Sequence, residues 1–538
     1  MRETRPVTVA GVSTRPSTRV RLPLVVTAVV PVGLAIALGA VSLSSRSIWL
    51  DESATIAITS QHGAALWAGM KRDGGNMLAY YALIHVLIGL FGSSTLVLRL
   101  PSVLAGGLTA GAVTALGARL FDRTVGFAAG VLTAVSLPLV YWQQNARAYS
   151  MMFAFAAVSF AGFVALVDGE SRRRPGHPPA WAWPTYVVAL VLGAYMSLLA
   201  LLVVPAQLLS LVWYRRRLRQ VFLALALTAL CALPILVLAR ERGAGQLFWV
   251  PRPDLSTTGA VVQSLAASAL PPLFHQTATS LPLLGVTLAL LALAAAVALS
   301  SRRDGLGDRR PDRALFAGVL IAGWIVVPFV LDLAESFVGQ SVYQSRYLLI
   351  SAPAVALCLA WLLLGTRLSR AVGWSGLGVL VVLRGLQIAP TYGVSPENWR
   401  AATSHVLSRA EAGDCVAFYP ADGRQAFDYY LPALRAGRPV PRPILPTTPF
   451  GQTRAFVEDY ATLSPAELSA AAGRCRRVWL VSSHVGSSAT ATSRQHVARF
   501  HQLVDALEHE YRTRAVASFG YASSVDVQLF SGRTAAAG

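Results

Sequence analysis

The sequence has few charged residues, few cysteines and none of the short motifs that identify soluble nucleotide or zinc enzymes. Only 13% of its 538 residues are charged, whereas 54% are hydrophobic. The four cysteines form no CxxC pair, and no P-loop, Rossmann glycine pattern or HExxH motif is present. These absences argue against a soluble nucleotide site, a zinc site and a redox site.

Long uncharged runs make up most of the first 390 residues. Runs of about twenty apolar residues recur, which is the length that a helix needs to cross the hydrocarbon core of a bilayer. The net charge is +20, but the arginines cluster in short loops between these runs. That pattern is typical of membrane topology and does not indicate a nucleic-acid-binding face. We therefore predict a polytopic α-helical membrane protein whose partners include the lipid bilayer and no nucleic acid.

Two features of the sequence determine the predicted topology. Residues 181–214 are uncharged, about 51 Å long as one helix and flanked by arginines, so we predict two helices with a turn near Tyr195-Met196. If residues 77–92 also spanned, sixteen loop arginines would face outward, which the positive-inside rule disfavours. We therefore predict a re-entrant or interfacial helix at 77–92, inside a first outer loop at 44–99. The eleven predicted spans are 22–43, 100–118, 125–141, 149–167, two within 181–214, 220–239, 281–300, 314–331, 347–366 and 371–390.

The predicted membrane module thus covers residues 22–390. A basic segment at 1–21 precedes it and is predicted to be a cytoplasmic tail. The domain at 391–538 lacks long apolar runs and is predicted to be a soluble α/β domain on the extracytoplasmic side. Arg384 interrupts the last span, where it could reach the interface or line a cavity.

The C-terminal domain shows strand and helix patterns in alternation. Residues 415–419 and 477–481 read as short buried strands. Cys415 and Cys475 fall at or just before the starts of these strands, and an oxidising compartment would allow a disulfide between them. The predicted helices of this domain lie around 401–411, 453–472 and 494–511.

Two adjacent carboxylates, Asp51 and Glu52, follow the first predicted span. Charge is costly at the depth where the chain leaves the bilayer, so an acidic pair there predicts a functional site, with helix capping as the alternative. With the predicted topology, polar residues from several loops meet at the outer face of the membrane. Arginine binds phosphate, and a carboxylate can take a proton from an attacking hydroxyl. The polar residues of the outer face therefore predict a site for a membrane-embedded substrate that carries phosphate. The further polar residues predicted at this face are Asp73, Asn76, Arg99, Gln143, Gln144, Asn145, Arg147, Tyr149, Arg240, Arg242, Arg252, Tyr343, Gln344, Arg346 and Tyr347.

The order and spacing of several short motifs resemble a known superfamily. From about residue 22 to 390 the chain resembles the membrane glycosyltransferases of the C-type (GT-C) superfamily. The resemblance is strongest to the family 39 branch, which includes protein O-mannosyltransferases and aminoarabinose transferases. The motifs that carry it are Ile48-Trp49-Leu50-Asp51-Glu52-Ser53, Tyr80-Tyr81 with His85, Phe91-Gly92 with Leu98-Arg99-Leu100-Pro101-Ser102, Gln144-Asn145-Ala146-Arg147-Ala148-Tyr149, and Ser345-Arg346-Tyr347.

Two departures from this branch leave the acceptor open. The loop at 240–280 has no room for the β-trefoil insertion of the protein O-mannosyltransferases. The segment Arg147-Ala148-Tyr149 lacks the acid of the Arg-x-Asp pattern that aminoarabinose transferases usually carry. Protein glycosylation is therefore not assumed.

The resemblance implies a role for each candidate residue. Asp51 matches the superfamily's catalytic base, and Glu52 is the second acid of the pair. The implied donor is a polyprenyl-phosphate sugar, and the implied transfer inverts the anomeric centre. Arg346, Arg99 and Arg147 are the candidates for binding the donor phosphate, with snorkelling as their alternative. The candidates for substrate binding are Tyr81, His85, Gln144, Tyr149 and Tyr347, with packing or an aromatic belt as their alternative.

The predicted function is therefore an integral glycosyltransferase of the plasma membrane with an extracytoplasmic active site. It would transfer a hexosyl or pentosyl group, with mannose and arabinose as the leading donors, to a cell-envelope glycan, glycolipid or protein. No cofactor and no metal site are expected. The alternatives are a transporter or flippase of lipid-linked intermediates and a non-catalytic envelope scaffold. The sequence shows no paired broken helices of the kind that transporters carry.

Overall fold

The computed structural model describes residues 24–169, 176–212, 214–242, 247, 249–271, 273–274, 277–303, 311–366, 368–447, 464–487 and 490–533. The tail predicted at 1–21 and the first part of the helix predicted at 453–472 lie outside these residues. Up to residue 391 the described chain is helical, and from there on it alternates helices and strands. The protein is thus a polytopic helical membrane protein with a C-terminal α/β domain.

The uncharged runs form helices because a membrane-embedded backbone must satisfy its hydrogen bonds internally. Short 3-10 segments at Leu198–Leu202, Leu349–Ser351 and Ala389–Thr391 join or end some of these helices. The α-helices of the described membrane module are α1 Leu24–Ala40, α2 Leu50–Thr59, α3 Gly63–Arg72, α4 Leu78–Phe91, α5 Thr95–Leu120, α6 Arg123–Ala134, α7 Leu137–Gln143, α8 Tyr149–Val167, α9 Ala182–Met196, α10 Val203–Ser210, α11 Leu218–Arg242, α12 Leu255–Ala266, α13 Thr277–Arg303, α14 Pro311–Val338, α15 Ser345–Leu348, α16 Ala352–Leu364 and α17 Arg370–Ile388.

Each of the eleven predicted spans corresponds to a helix or a pair of joined helices. Among the described residues, six helices are long and apolar enough to cross a membrane on their own, and the bent pair α6 and α7 makes a seventh. Three of the remaining predicted spans, α1, α9 and the segment through α10, are shorter apolar helices. The run at 181–214 breaks at Ser197, whose backbone is extended, so the predicted division into two helices is confirmed.

Helix α5 lies at the centre of the module and packs against α1, α6 and α8. The crossing of α5 with α6 requires glycine, because a Cβ on Gly126 would lie 2.4 Å from the carbonyl oxygen of Thr114. Arg384 in α17 is buried, and its guanidinium donates to the carbonyl of Leu132 at 2.7 Å. That carbonyl lies in the last turn of α6, before the bend to α7, so the buried Arg384 donates to backbone near a helix break.

The predicted outer loop contains three helices, α2, α3 and α4. Helix α4 has 14 residues and is therefore about 21 Å long, too short to cross the hydrocarbon core unaided. A tight turn precedes it, in which Gly74, Gly75 and Met77 adopt positive φ angles. Because the predicted span α9 is only one residue longer than α4, helix length does not test whether 77–92 spans, and its placement in the membrane stays a prediction.

The C-terminal domain is built on a five-stranded sheet in the order β2-β1-β3-β5-β4. Strands β1, β2 and β3 are parallel, and β5 and β4 are antiparallel to their neighbours. Both predicted strands are confirmed, and Cys415 and Cys475 form a disulfide. The elements are α18 Trp399–Arg409, β1 Cys415–Tyr419, α19 Gly423–Leu434, β2 Arg442–Leu445, α20 Pro465–Ala472, β3 Val478–Ser482, α21 Ala491–Glu510, β4 Tyr511–Phe519 and β5 Val525–Arg533.

The C-terminal domain is docked onto the start of the predicted outer loop. The backbone N–H of Ile48 donates to the hydroxyl of Tyr430 at 2.7 Å, and Arg400 donates to the carbonyls of Ser44 and Ser45. In the other direction, Arg46 donates to two carbonyls of the segment that leads into the domain. Helix α19 therefore packs against α2, the helix that begins with the acidic pair.

Candidate active site

The two adjacent acids, Asp51 and Glu52, have different surroundings. Both lie in the first turn of α2, where successive side chains point about 100° apart. The side chain of Glu52 is fully buried, whereas that of Asp51 is 34% exposed. Of the pair, only Asp51 is accessible to a substrate in this arrangement.

Glu52 and Arg99 form a buried ion pair. The guanidinium donates to both carboxylate oxygens, at 2.8 and 2.7 Å, and the backbone N–H of Ala146 donates to Glu52 at 2.7 Å. Arg99 also donates to the carbonyls of Leu43, Arg46 and Ser47. Every polar group of the pair is thus engaged within the protein, which favours a positioning role over phosphate binding for Arg99.

Arg147 lies next to Asp51. Its Nη2 is 3.7 Å from the carboxylate of Asp51, and its Nη1 donates to the Asp51 carbonyl at 3.3 Å. The Arg147 side chain is 13% exposed, and its Nε has no hydrogen-bond partner in the described part of the chain. Arg147 therefore combines a fixed position beside Asp51 with a free donor.

Arg346 lies among three aromatic rings. Its guanidinium carbon is 5.8 Å from the ring centre of Tyr149, 5.1 Å from that of Trp249 and 5.3 Å from that of Tyr347. Among the described residues no carboxylate forms an ion pair with it, and its buried Nε lacks a partner. Asp51 lies within electrostatic range of Arg346. The site thus contains a cation with donors available to an anion.

The predicted substrate-binding residues divide into two groups. Tyr149 and Tyr347 flank Arg346, with 6.0 Å between their own ring centres. The other three are occupied by the protein: Tyr81 donates to Asp73, the His85 ring bonds the Thr59 carbonyl, and Gln144 donates to the carbonyls of Gly39 and Val41.

Asp73 anchors the predicted outer loop to α11. Its carboxylate accepts from Tyr81 at 2.9 Å and lies 3.3 Å from Arg242, whose guanidinium also donates to the Asp73 carbonyl. Burial raises the pKa of Asp73, against the opposing effect of Arg242. The Asp73–Arg242 ion pair therefore attaches the outer loop, which also carries Asp51, to helix α11.

Sequence reasoning missed several residues near the site. Trp249 was not singled out, nor were Glu397, Asp422 and His484 of the C-terminal domain. No local pattern marks these residues, and the contact between the His484 imidazole and Glu397 joins positions 87 residues apart. Within the described residues, no group of three or more His, Cys, Asp or Glu side chains is arranged to hold a metal ion.

Comparison with known proteins identifies the architecture. Residues 77–239 match the family model described as dolichyl-phosphate-mannose-protein mannosyltransferase. No curated protein matches the sequence.

The fold is shared with solved membrane enzymes. ArnT from Cupriavidus metallidurans bound to undecaprenyl phosphate superposes with a TM-score of 0.51 at 13% identity, covering 93% of this chain and 97% of that one. Its apo form gives 0.52 at 14% identity with the same coverage. The archaeal oligosaccharyltransferase AglB from Archaeoglobus fulgidus, in complex with an inhibitory peptide and a dolichol-phosphate, gives 0.50 at 13% identity, covering 91% and 72%. The chain thus shares the fold of these solved proteins, and its residues 77–239 are similar to the mannosyltransferase family.

Proposed function

We propose that the protein transfers one sugar from a polyprenyl-phosphate carrier to a cell-envelope acceptor at the extracytoplasmic face of the plasma membrane. The observation that carries the proposal is the accessible Asp51 carboxylate, held beside Arg147 and within electrostatic range of the unpaired Arg346. A base and a phosphate-binding cation are thus available in one place. The solved relatives support this choice of donor, since one is bound to undecaprenyl phosphate and another to a dolichol-phosphate.

The proposed reaction is a direct displacement at the anomeric carbon. An acceptor hydroxyl oxygen forms the new bond to that carbon, and Asp51 takes the hydroxyl proton. The bond between the anomeric carbon and the phosphate oxygen breaks, and polyprenyl phosphate leaves with the electron pair. Attack from the face opposite the phosphate inverts the anomeric centre. Arg346, with Arg147, stabilises the charge that develops on the leaving phosphate.

The disulfide supports the proposed orientation. Cys415 and Cys475 are bonded in the C-terminal domain, and disulfides persist in oxidising compartments outside the cytoplasm. The positive-inside rule independently puts the arginine-rich loops on the cytoplasmic side. Both arguments support the proposal that the C-terminal domain and Asp51 are extracytoplasmic.

The test uses the purified full-length protein in nanodiscs, a panel of radiolabelled polyprenyl-phosphate mannose and arabinose donors, and a crude envelope fraction as acceptor. Wild type should release polyprenyl phosphate, and Asp51→Asn should lower the rate about 100- to 10,000-fold, the usual contribution of a general base. Asp122→Asn is the matched control, because Asp122 caps α6 and asparagine caps a helix equally well.

The same experiment separates the alternatives. If neither protein turns over any donor while both bind one, the catalytic role is rejected in favour of a flippase or a scaffold. If Asp51→Asn turns over the donor at the wild-type rate, the protein is a transferase with a different base.

A further inference from the structure

Polar residues of the C-terminal domain lie at one edge of its sheet. Strand β1 ends at Tyr419, and Asp422 follows three residues later. Strand β3 ends at Ser482, and His484 follows directly after Ser483. Because β1 and β3 are parallel neighbours, their carboxyl ends lie at the same edge. In open α/β sheets, ligands bind in the crevice outside this edge.

Glu397 holds the His484 side chain in place. The imidazole Nε2 lies 3.0 Å from one carboxylate oxygen of Glu397, and the hydroxyl of Ser483 donates to the other at 3.4 Å. The Trp399 indole N–H also donates to Glu397, which is only 3% exposed. Burial alone would lower the pKa of His484, but the carboxylates, Glu397 foremost, raise it to about 9, so the imidazole is charged at neutral pH.

Asp422 contributes a buried oxygen that lacks a partner. It precedes α19, and a Cβ on the next residue, Gly423, would lie 2.7 Å from the Trp399 ring, so this helix start is packed close to Glu397. Asp422 is 8% exposed, and its Oδ1 has no hydrogen-bond partner in the described part of the chain. A buried acceptor without a partner destabilises the protein, and the hydroxyl group of a ligand would supply the missing hydrogen bond.

The edge of the sheet adjoins the candidate active site. Helix α19 packs against α2, and Asp51 acts electrostatically on both Asp422 and His484. The side chains of His484 and Asp51 are 39% and 34% exposed, whereas Asp422 is buried between their elements. Asp51 and His484 thus present partly exposed charged groups on either side of the contact between α2 and the C-terminal domain, and Asp422 lies buried at the start of α19.

We propose that Asp422 and His484 form the acceptor-binding wall of this site and that they bind a saccharide through its hydroxyl groups. The proposal rests on the proposed function and specifies its acceptor. Each hydroxyl both donates and accepts, which complements a carboxylate beside a charged imidazole. A peptide that bound here by strand addition would need a free strand edge, but β1 and β3 lie inside the sheet and offer none.

The first measurement is binding, which does not depend on turnover. Full-length protein in nanodiscs is titrated with tritiated mannotetraose, arabinotetraose and a crude envelope glycan fraction. Asp422→Ala and His484→Gln should weaken glycan binding at least tenfold. Their matched controls are Asp428→Ala on the same helix and His405→Gln in the same domain, which should bind as wild type does. Gln425 lies one turn beyond Asp422, and its buried Oε1 also lacks a partner. Gln425→Ala is therefore a second and milder test of the same wall.

The second measurement separates acceptor from donor. With the donor alone, donor affinity should stay at the wild-type value in Asp422→Ala and His484→Gln, because the residues proposed to bind the donor phosphate are Arg346 and Arg147. With glycan present, both variants should need at least tenfold more acceptor for half-maximal transfer. Equal glycan binding by wild type and all five variants rejects the acceptor wall. Glycan binding that depends on Asp422, in a protein that turns over no donor, supports the wall and rejects the proposed transferase instead.

Discussion

Neutralising Glu52 should destabilise the protein, whereas neutralising its neighbour Asp51 should not. Glu52→Gln keeps the shape of the side chain but leaves the buried Arg99 guanidinium, 1% exposed, without a counter-charge. Removing one partner of a buried ion pair costs about 3–5 kcal/mol. Asp51→Asn removes only a partly exposed contact at 3.7 Å, which is worth about 0–1 kcal/mol.

The assay measures stability and turnover on the same preparations. The fraction of folded protein after heating in detergent is followed by size-exclusion chromatography, and donor turnover is expressed per folded molecule. Glu52→Gln should lower the unfolding temperature and retain turnover per folded molecule. Asp51→Asn should unfold at the same temperature as wild type and lose turnover. A stable Glu52→Gln that has lost turnover would refute this division and give Glu52 a catalytic role.

Arg99 provides a second check on the same reasoning. Arg99→Met should cost more than Glu52→Gln, because the carbonyls of Leu43, Arg46 and Ser47 also lose their donor, at about 1–3 kcal/mol each. The double variant should be more stable than Arg99→Met, since no unpaired charge remains. It should still be less stable than wild type, and full recovery would show that the carbonyl contacts contribute nothing.

Three further outcomes are expected. Arg346→Ala should lower donor turnover about 100- to 1000-fold, with Arg252→Ala, an exposed arginine, as its control. Replacing both Cys415 and Cys475 by serine should destabilise the C-terminal domain by about 4 kcal/mol, measured by its denaturant midpoint, because the disulfide closes a loop of 60 residues. The ion pair of His484 with Glu397 raises the His484 pKa from 6.5 to about 9, so its stabilising effect is complete below pH 6.5 and is lost as the pH rises towards 9. His484→Gln should therefore flatten the pH dependence of domain unfolding in that range, and an unchanged profile would contradict the assignment.

The sequence was sufficient for the architecture because each of its signals is local. The length of an apolar run predicts a span, and the break at Ser197 follows from a run too long for one helix. The strands at 415–419 and 478–482 were visible as short apolar runs. The span count was more difficult, because helices such as α9 are too short to be assigned by length alone.

The site was less predictable because its roles depend on contacts distant in sequence. Asp51 and Glu52 are adjacent and chemically alike, and only the partners of Glu52, at positions 99 and 146, distinguish them. The same holds for Arg384, whose role depends on a carbonyl 252 residues away. Composition and spacing carry no information about such pairings.

The contacts around α2 suggest why an acid that takes no part in the proposed chemistry is placed beside one that does. The Glu52–Arg99 pair fixes the start of α2 to α5 and, through the N–H of Ala146, to the turn that carries Arg147. A displacement of that pair would therefore move the base and its neighbouring cation together. The C-terminal domain docks at Ile48, on the same short segment. One buried ion pair thus links Asp51 to the turn that carries Arg147 and to the segment on which the C-terminal domain docks. Variants of Glu52 should consequently alter the distance between the membrane module and the C-terminal domain more than they alter the chemistry at Asp51.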